Sequence, residues 1–328
     1  MSVAPAVAQQ YENVGIRAQG MAGAFVAVAD DATATWWNPA GLATGPYFDG
    51  LVEYTIIQQP RELQDPEGQL HPGWESRVRG IVLAYPALGL SYYRLQISEI
   101  QPVPPTAEEA LNRQEQRAGA VGLRTLVLNQ FGATVGQSLG NHLVIGSTLK
   151  LVRGSIASGL AAPADATFDR ARALEGEGET HADLDMGALA SFGSVRLGLT
   201  VKNIRRPEFG PDDNPHKLKR QARAGLAVVG KSLKVIDQLT VAVDTDLTEA
   251  ATAVGTARYV AGGIEAWMLN RRVGVRAGVS ANTIGERLTS PSGGVSLGLL
   301  SGLYLEGQYT AGSDQARRGW GFDVRVTF

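Results

Sequence analysis

Several strings in this chain have the residue types of known chemistries. Gly225-Leu226-Ala227-Val228-Val229-Gly230-Lys231-Ser232 satisfies the phosphate-loop pattern, and Leu239 to Asp244 has the form of its companion strand. That chemistry needs a strand, a glycine-rich loop, and then a helix whose N-terminus faces the phosphates. Here the variable positions are apolar strand residues and Leu233-Lys234-Val235-Ile236 starts no helix, so nucleotide binding is set aside. Gly294-Val295-Ser296-Leu297-Gly298 matches the string of a nucleophile elbow, but it sits inside an alternating strand instead of at a strand-to-helix turn. His71, His142, His181 and His216 fall singly at strand or loop ends, with no spacing that sets two on one face as metal ligands, and are expected to be exposed polar residues. The carboxylates Asp165, Asp169, Glu175, Glu177 and Glu179 lack the spacing of a calcium loop and read as solvated charge. No carboxylate pair stands out as acid and base. The expectation is a protein that is not an enzyme, with no metal and no cofactor.

The elements that would carry such residues are strands. Period-two segments separated by turn residues run near 48–58, 76–85, 88–97, 123–138, 142–154, 181–192, 195–204, 219–230, 236–246, 257–268, 272–283, 292–300, 302–311 and 318–328. Fourteen is an even number, as single-chain bacterial barrels require. Val195, Leu197, Leu199 and Val201 alternate with Arg196, Gly198, Thr200 and Lys202, so one face suits lipid and the other water. The same split recurs over 273–280, whereas Leu189 interrupts it in 184–192. Connections at Pro86-Ala87, Leu139-Gly140-Asn141, Gly193-Ser194, Asn270-Arg271 and Ser301-Gly302 are tight; those over 59–75, 98–122, 155–180, 205–218, 247–256, 284–291 and 312–317 are longer. Tight turns on one rim and long loops on the other are the arrangement of an outer-membrane barrel. Period-two alternation is also the signal of soluble strands, so a soluble all-β protein is the alternative. Thr106 to Gln116, after Pro104-Pro105, reads as a short polar surface helix.

Composition narrows the classes further. No stretch of the 328 residues reaches the roughly 18–20 consecutive apolar residues of a spanning helix, so a membrane role must come from strands. A formal net charge of -2 without a basic stripe argues against nucleic acid as a partner. Ala6-Val7-Ala8 before Gln9 has the small-residue pattern of an export cleavage site, so residues 1–10 read as the remnant of an export signal or a flexible N-terminus. At the other end, Trp320, Phe322, Val324, Val326 and Phe328 form the greasy face of a closing strand, the signal by which barrel-insertion machinery recognises its clients.

Residues 11–47 precede the strands, which occupy 48–328. This segment, Gly15 to Ala43, is rich in small residues that allow close packing, with turn chemistry at Asp30-Asp31 and Asn38-Pro39. It must be buried somewhere, and a barrel of fourteen strands has a lumen wide enough to take it. Through Ala29-Asp30-Asp31 and Asn38-Pro39-Ala40-Gly41, and more loosely through Val201-Lys202-Asn203-Ile204, Gly262-Gly263-Ile264-Glu265 and Phe328, the chain resembles the FadL superfamily of outer-membrane barrels, most closely its PorV/PorQ and TraF-like branch. The resemblance implies a fourteen-stranded barrel in the outer membrane of a Gram-negative bacterium, whose N-terminus folds inward as a hatch. Asp30, Asp31, Trp36, Trp37, Asn38, Pro39, Ala40 and Gly41 would form that hatch motif. It further implies outer-membrane lipid and hydrophobic small molecules as partners, with secretion-system proteins for a PorV-like barrel that docks partners instead of transporting. The polar face predicts a lumen lined by Arg196, Thr200, Lys202, Arg223, Arg276, Asp323 and Arg325, most of them paired across the interior.

Overall fold

A computed structural model describes residues 14–58, 72–102, 121–210, 215–233, 235–252 and 255–328. The export remnant at 1–10, the polar helix over 106–116 and His71 lie outside the described residues. Fourteen strands form one closed antiparallel barrel. In chain order they are β1 Asp49–Gln58, β2 Gly73–Tyr85, β3 Leu88–Pro102, β4 Val121–Leu139, β5 Leu143–Ala161, β6 Gly178–Phe192 and β7 Val195–Lys202. They continue as β8 Gln221–Leu233, β9 Ile236–Asp246, β10 Tyr259–Met268, β11 Val273–Asn282, β12 Thr289–Leu300, β13 Leu303–Thr310 and β14 Gly319–Thr327. Each strand pairs with its sequence neighbours, and the ring closes where β1 meets β14 from Asp49↔Thr327 to Ile57↔Gly319. Closure satisfies every edge of the sheet, which is what lets strands stand in hydrocarbon. Among the described residues no helix is long and apolar enough to cross a membrane.

Alternation sorts the side chains by face. Leu197, Leu199, Val275, Val279, Phe322 and Val324 point outward and are exposed, while Thr200, Lys202, Arg276, Asp323 and Arg325 point inward and are buried. Turns on one rim are tight because residues there adopt the left-handed conformation that a right-twisted hairpin demands, as at Gly140 (φ 68°) and Gly193 (φ 63°). The opposite rim carries two small strand pairs, Glu208–Phe209 with His216–Lys217 and Ala250–Thr252 with Gly255–Ala257, and a short helix, α3 (Phe168–Arg172).

Two expectations need correction here. β5 does not stop at 154 but runs to Ala161, held in register with β4 up to Val121, so the connection to β6 starts later. The reason is a small apolar cluster of Ile100, Val121, Leu123, Ala161, Ala166 and Ala171 beyond the barrel wall, which rewards the extra pairing and seats α3. Among the described residues the carboxylates of that connection gather into no group able to hold a metal. His216 is buried instead of exposed, because the hairpin strands Glu208–Phe209 and His216–Lys217 fold back with Phe209 lying against Gly154 of β5. Burial and the nearby Arg124 guanidinium push its pKa down to about 4 from 6.5. A histidine held neutral stabilises the hairpin above the unfolded pKa, and that stability drains away as pH falls from about 6.5 toward 4. Amide exchange over 205–219 is therefore expected to be faster at pH 4.5 than at pH 7.5 relative to intrinsic rates, and equal protection at the two pH values would refute it.

The tempting motifs are plain strand. Gly225 to Leu233 lies in β8 with no helix after it, and Ser296 lies in β12 with its hydroxyl donating to Glu306 Oε1 at 2.8 Å.

Candidate functional site

The place where chemistry-bearing side chains converge is the interior of the barrel, around residues 14–44. This stretch has short helices α1 (Ile16–Gly20) and α2 (Ala34–Trp37) and a 3-10 turn over Pro39–Thr44. Neither helix is long enough to be stable alone, so position comes from what they touch. Nearly every residue from Val14 to Leu42 is buried. The partners sit on strands all round the ring.

Carboxylates on the inner wall receive the segment's backbone amides. Gly15 N–H donates to Glu53 of β1 at 2.8 Å, Phe25 and Val26 N–H both donate to Asp244 Oδ2 of β9 at 2.8 and 2.7 Å, and Ala32 N–H donates to Asp49 at 3.0 Å. These anchors satisfy amides of an irregular segment that would otherwise be buried without partners. Arg17 is the hub. Its guanidinium donates bidentately to Glu265 of β10 at 2.6 and 2.5 Å, and to Asp30 at 2.5 Å and Asp31 at 3.1 Å. Burial alone would raise the Asp30 pKa, but Arg17 and then Arg196 outweigh it and hold the carboxyl below its ordinary value.

The hatch-motif residues each find a neighbour. Lys202 Nζ lies 3.1 Å from the centroid of the Trp36 ring, and the Tyr93 ring meets Trp36 edge-on at 5.1 Å. Trp37 Nε1 donates to the Val14 carbonyl at 3.0 Å, which ties the two ends of the segment together, and Arg223 stands over its ring. Asn38 Nδ2 donates to the carbonyls of Val26 (2.9 Å) and Ala188 of β6 (3.1 Å), and its Oδ1 accepts from Ala40 N–H at 3.2 Å. The wall is shaved to admit this turn: a side chain at Gly187 would strike Asn38 Oδ1, and one at Gly146 would strike the backbone of Pro39 and Ala40. Gly41 presses against the Ala29 carbonyl in the same way. Leu189, the break in alternation of β6, is an inward apolar residue that, with Val144 of β5, gives Ala40 of the turn a greasy seat.

The inward polar set forms a second circuit. Arg276 meets Glu265 at 2.8 Å and Ser296 at 2.5 Å, and Arg325 meets Glu306 at 3.0 Å, which bridges β10 to β14 across five strands. Arg223 pairs with Asp246 at 2.6 Å, Arg196 reaches Asp30 at 3.5 Å, and the Thr200 hydroxyl donates to the Met186 carbonyl. Asp323 is buried beside this circuit. On the outside, Trp320, Phe322, Val324 and Phe328 are exposed and Val326 is half-buried. Arg17 and the carboxylates Glu53, Asp49, Asp244 and Glu265 are the site residues that sequence reasoning missed. The signal for the carboxylates was an acid at an inward position of a strand whose outward positions are apolar.

A family model described as F plasmid transfer operon, TraF, protein matches residues 12–246. No curated protein matches the chain. Among solved structures, the monoaromatic hydrocarbon channel CymD superposes with a TM-score of 0.64 at 12% identity, covering 98% of this chain and 99% of the other. The toluene transporters TbuX of Ralstonia pickettii (0.59, 11%, 97% and 99%) and TodX of P. putida (0.59, 10%, 97% and 99%) superpose similarly. At such identities the likeness establishes a shared fold, over nearly the full length of both chains.

Proposed function

Since the chain belongs to the family of the F plasmid transfer operon protein TraF, and folds as a closed fourteen-stranded barrel, we propose that it stands in the outer membrane of a Gram-negative bacterium and passes hydrophobic small molecules across it. Residues 14–44 are the plug of that path. The observation that carries this reading is the contrast between the two faces of one sheet: an aliphatic outer belt fit for hydrocarbon, and an inner wall whose carboxylates hold a separate segment by hydrogen bonds to its amides and by the Arg17–Glu265 ion pair. None of these contacts belongs to the strand ladder, so release of the segment leaves the sheet closed. The named ligands of the fold relatives, monoaromatic hydrocarbons and toluene, suggest the substrate class.

The chain contains no cysteine, which makes a disulfide lock clean. Ala40→Cys with Leu189→Cys joins two residues of one apolar cluster and would tie the plug to β6. In proteoliposomes, toluene uptake is expected to fall to that of empty vesicles when the pair is oxidised and to return on reduction. Uptake at the empty-vesicle level in both states and in the unmodified protein would favour the PorV/PorQ-like alternative, a barrel that docks secretion partners.

A further inference from the structure

On the outer wall, where β2 and β3 run up to the long loops, arginine replaces the aliphatic pattern. Outward positions of β2 read Tyr85, Leu83 and Ile81, all exposed, and then Arg79, Arg77 and Glu75; those of β3 read Leu88, Leu90 and Tyr92, then Arg94 and Gln96. Register sets Arg79 beside Arg94 and Arg77 beside Gln96. From above, α3 brings Arg172, whose carbonyl accepts from Gln96 Nε2 at 3.1 Å and whose guanidinium meets Glu75 at 2.5 Å. Arg77, Arg79, Arg94, Gln96 and Arg172 together line a cavity of about 130 Å³.

Four guanidiniums so close repel one another unless counter-charge is supplied. Among the described residues the carboxylates at hand are Glu75, shared by Arg77 (2.7 Å) and Arg172, and the exposed Asp169, which pairs with Arg172. Arg94 donates to the neutral Asn129 Oδ1 at 3.3 Å, and Arg79 leans on the Tyr54 ring at 6.0 Å. Neither has a carboxylate partner among the described residues. On a lipid-facing wall such charges are costly unless they lie at headgroup height, and immediately above the aliphatic belt on the long-loop side they do.

We propose that this cleft binds the phosphate groups of an outer-leaflet lipid headgroup, with Arg79 and Arg94 as the principal donors and Arg172 as the roof. Guanidinium forks match phosphate oxygens in pairs, which an ammonium does not. The proposal rests on the outer-membrane reading, because only there does this face meet lipid.

The test uses the full-length protein in detergent, with native mass spectrometry reading retention of diphosphorylated lipid A, the same lipid dephosphorylated, and inorganic phosphate. The unmodified protein is expected to retain the diphosphorylated lipid, and Arg79→Gln with Arg94→Gln to weaken retention by about tenfold or more. Arg271→Gln, at the tight-turn rim, should change nothing. Heat-modifiable gel migration and toluene uptake report the barrel and its passage separately, so their loss in the unmodified protein indicts the membrane reading, and their persistence leaves the lipid site to stand or fall alone. Should the double variant misfold, Arg79→Lys with Arg94→Lys keeps the charge, loses the forks, and is expected to retain lipid at an intermediate level. Equal retention of the dephosphorylated lipid, equal retention by the variants, or displacement by millimolar inorganic phosphate would each overturn the proposal, the last in favour of a free-anion site.

Discussion

Replacing Arg17 by methionine is expected to release the N-terminal segment from its seat while the fourteen-stranded sheet stays closed. One buried guanidinium holds Asp30, Asp31 and Glu265 together, and when it is gone Glu265 keeps, among the described residues, its pair with Arg276. Breaking a buried pair by removing one partner typically costs about 3–5 kcal/mol, because a charge is stranded where water does not reach. The sheet ladder contains none of these contacts, so the loss falls on the segment. Burial by itself would lower the Arg17 pKa, yet Asp30, Glu265 and Asp31 hold it well above the ordinary guanidinium value, so no accessible pH discharges it. Asp30 is the partner that titrates. With its folded pKa below the unfolded 3.8, its contribution is fully present above that value and is lost as pH falls through the folded pKa. Without Arg17 the Asp30 carboxyl rises toward or past its ordinary value, so its share of the acid release disappears or reverses, and the segment's exchange depends less on acid than in the unmodified protein. Hydrogen exchange over 14–44 reads this directly, with strands β1 to β14 as the internal control. Arg17→Lys, which retains charge without the fork, should fall between. Protection of the segment equal to that of the unmodified protein would show that the hub is dispensable.

What was legible from sequence, and what was not, divides along the same line as the two faces of the sheet. The outer wall is a local code: Val195, Leu197 and Leu199 point outward because every second residue of a strand does, and no distant partner alters that. The tight turns are equally local, set by residues such as Gly140 and Gly193 that tolerate a positive φ. The seat of the N-terminal segment is not local. Asp244 looks like one more inward acid until Phe25 and Val26, more than 200 positions earlier, present two amides to one of its oxygens. Leu189 looked like an error of alternation because the greasy surface it serves, Ala40, belongs to another part of the chain. His216 escaped for a related reason: a hairpin outside the barrel buries it through tertiary folding that no spacing announces. The hatch motif itself was visible as a cluster of turn formers and tryptophans. Which wall residues answered it was not.

Asn38 concentrates that long-range logic in one side chain, and its substitution should have the second large effect. The side chain is fully buried, and its two donors and one acceptor are all used: Nδ2 serves Val26 and Ala188, and Oδ1 caps the turn at Ala40. Asn38→Leu keeps the volume and strands two carbonyls and an amide, each costing about 1–3 kcal/mol when left unsatisfied. Gly187 leaves no slack to rearrange, since the wall there is already bare backbone against the Asn38 amide. Asn38→Asp is the sharper probe. It preserves shape and the cap on Ala40, but sets an oxygen against the Val26 and Ala188 carbonyls, so repulsion replaces two hydrogen bonds. Both variants are expected to expose the segment 14–44 to limited proteolysis and to raise toluene uptake in proteoliposomes, the aspartate at least as much as the leucine at neutral pH, with heat-modifiable migration unchanged. If the aspartate variant is as well protected as the unmodified protein, Asn38 acts through shape alone and the paired donors hold nothing. If proteolysis rises in both while uptake stays fixed, the segment is an ornament of the lumen, not its gate.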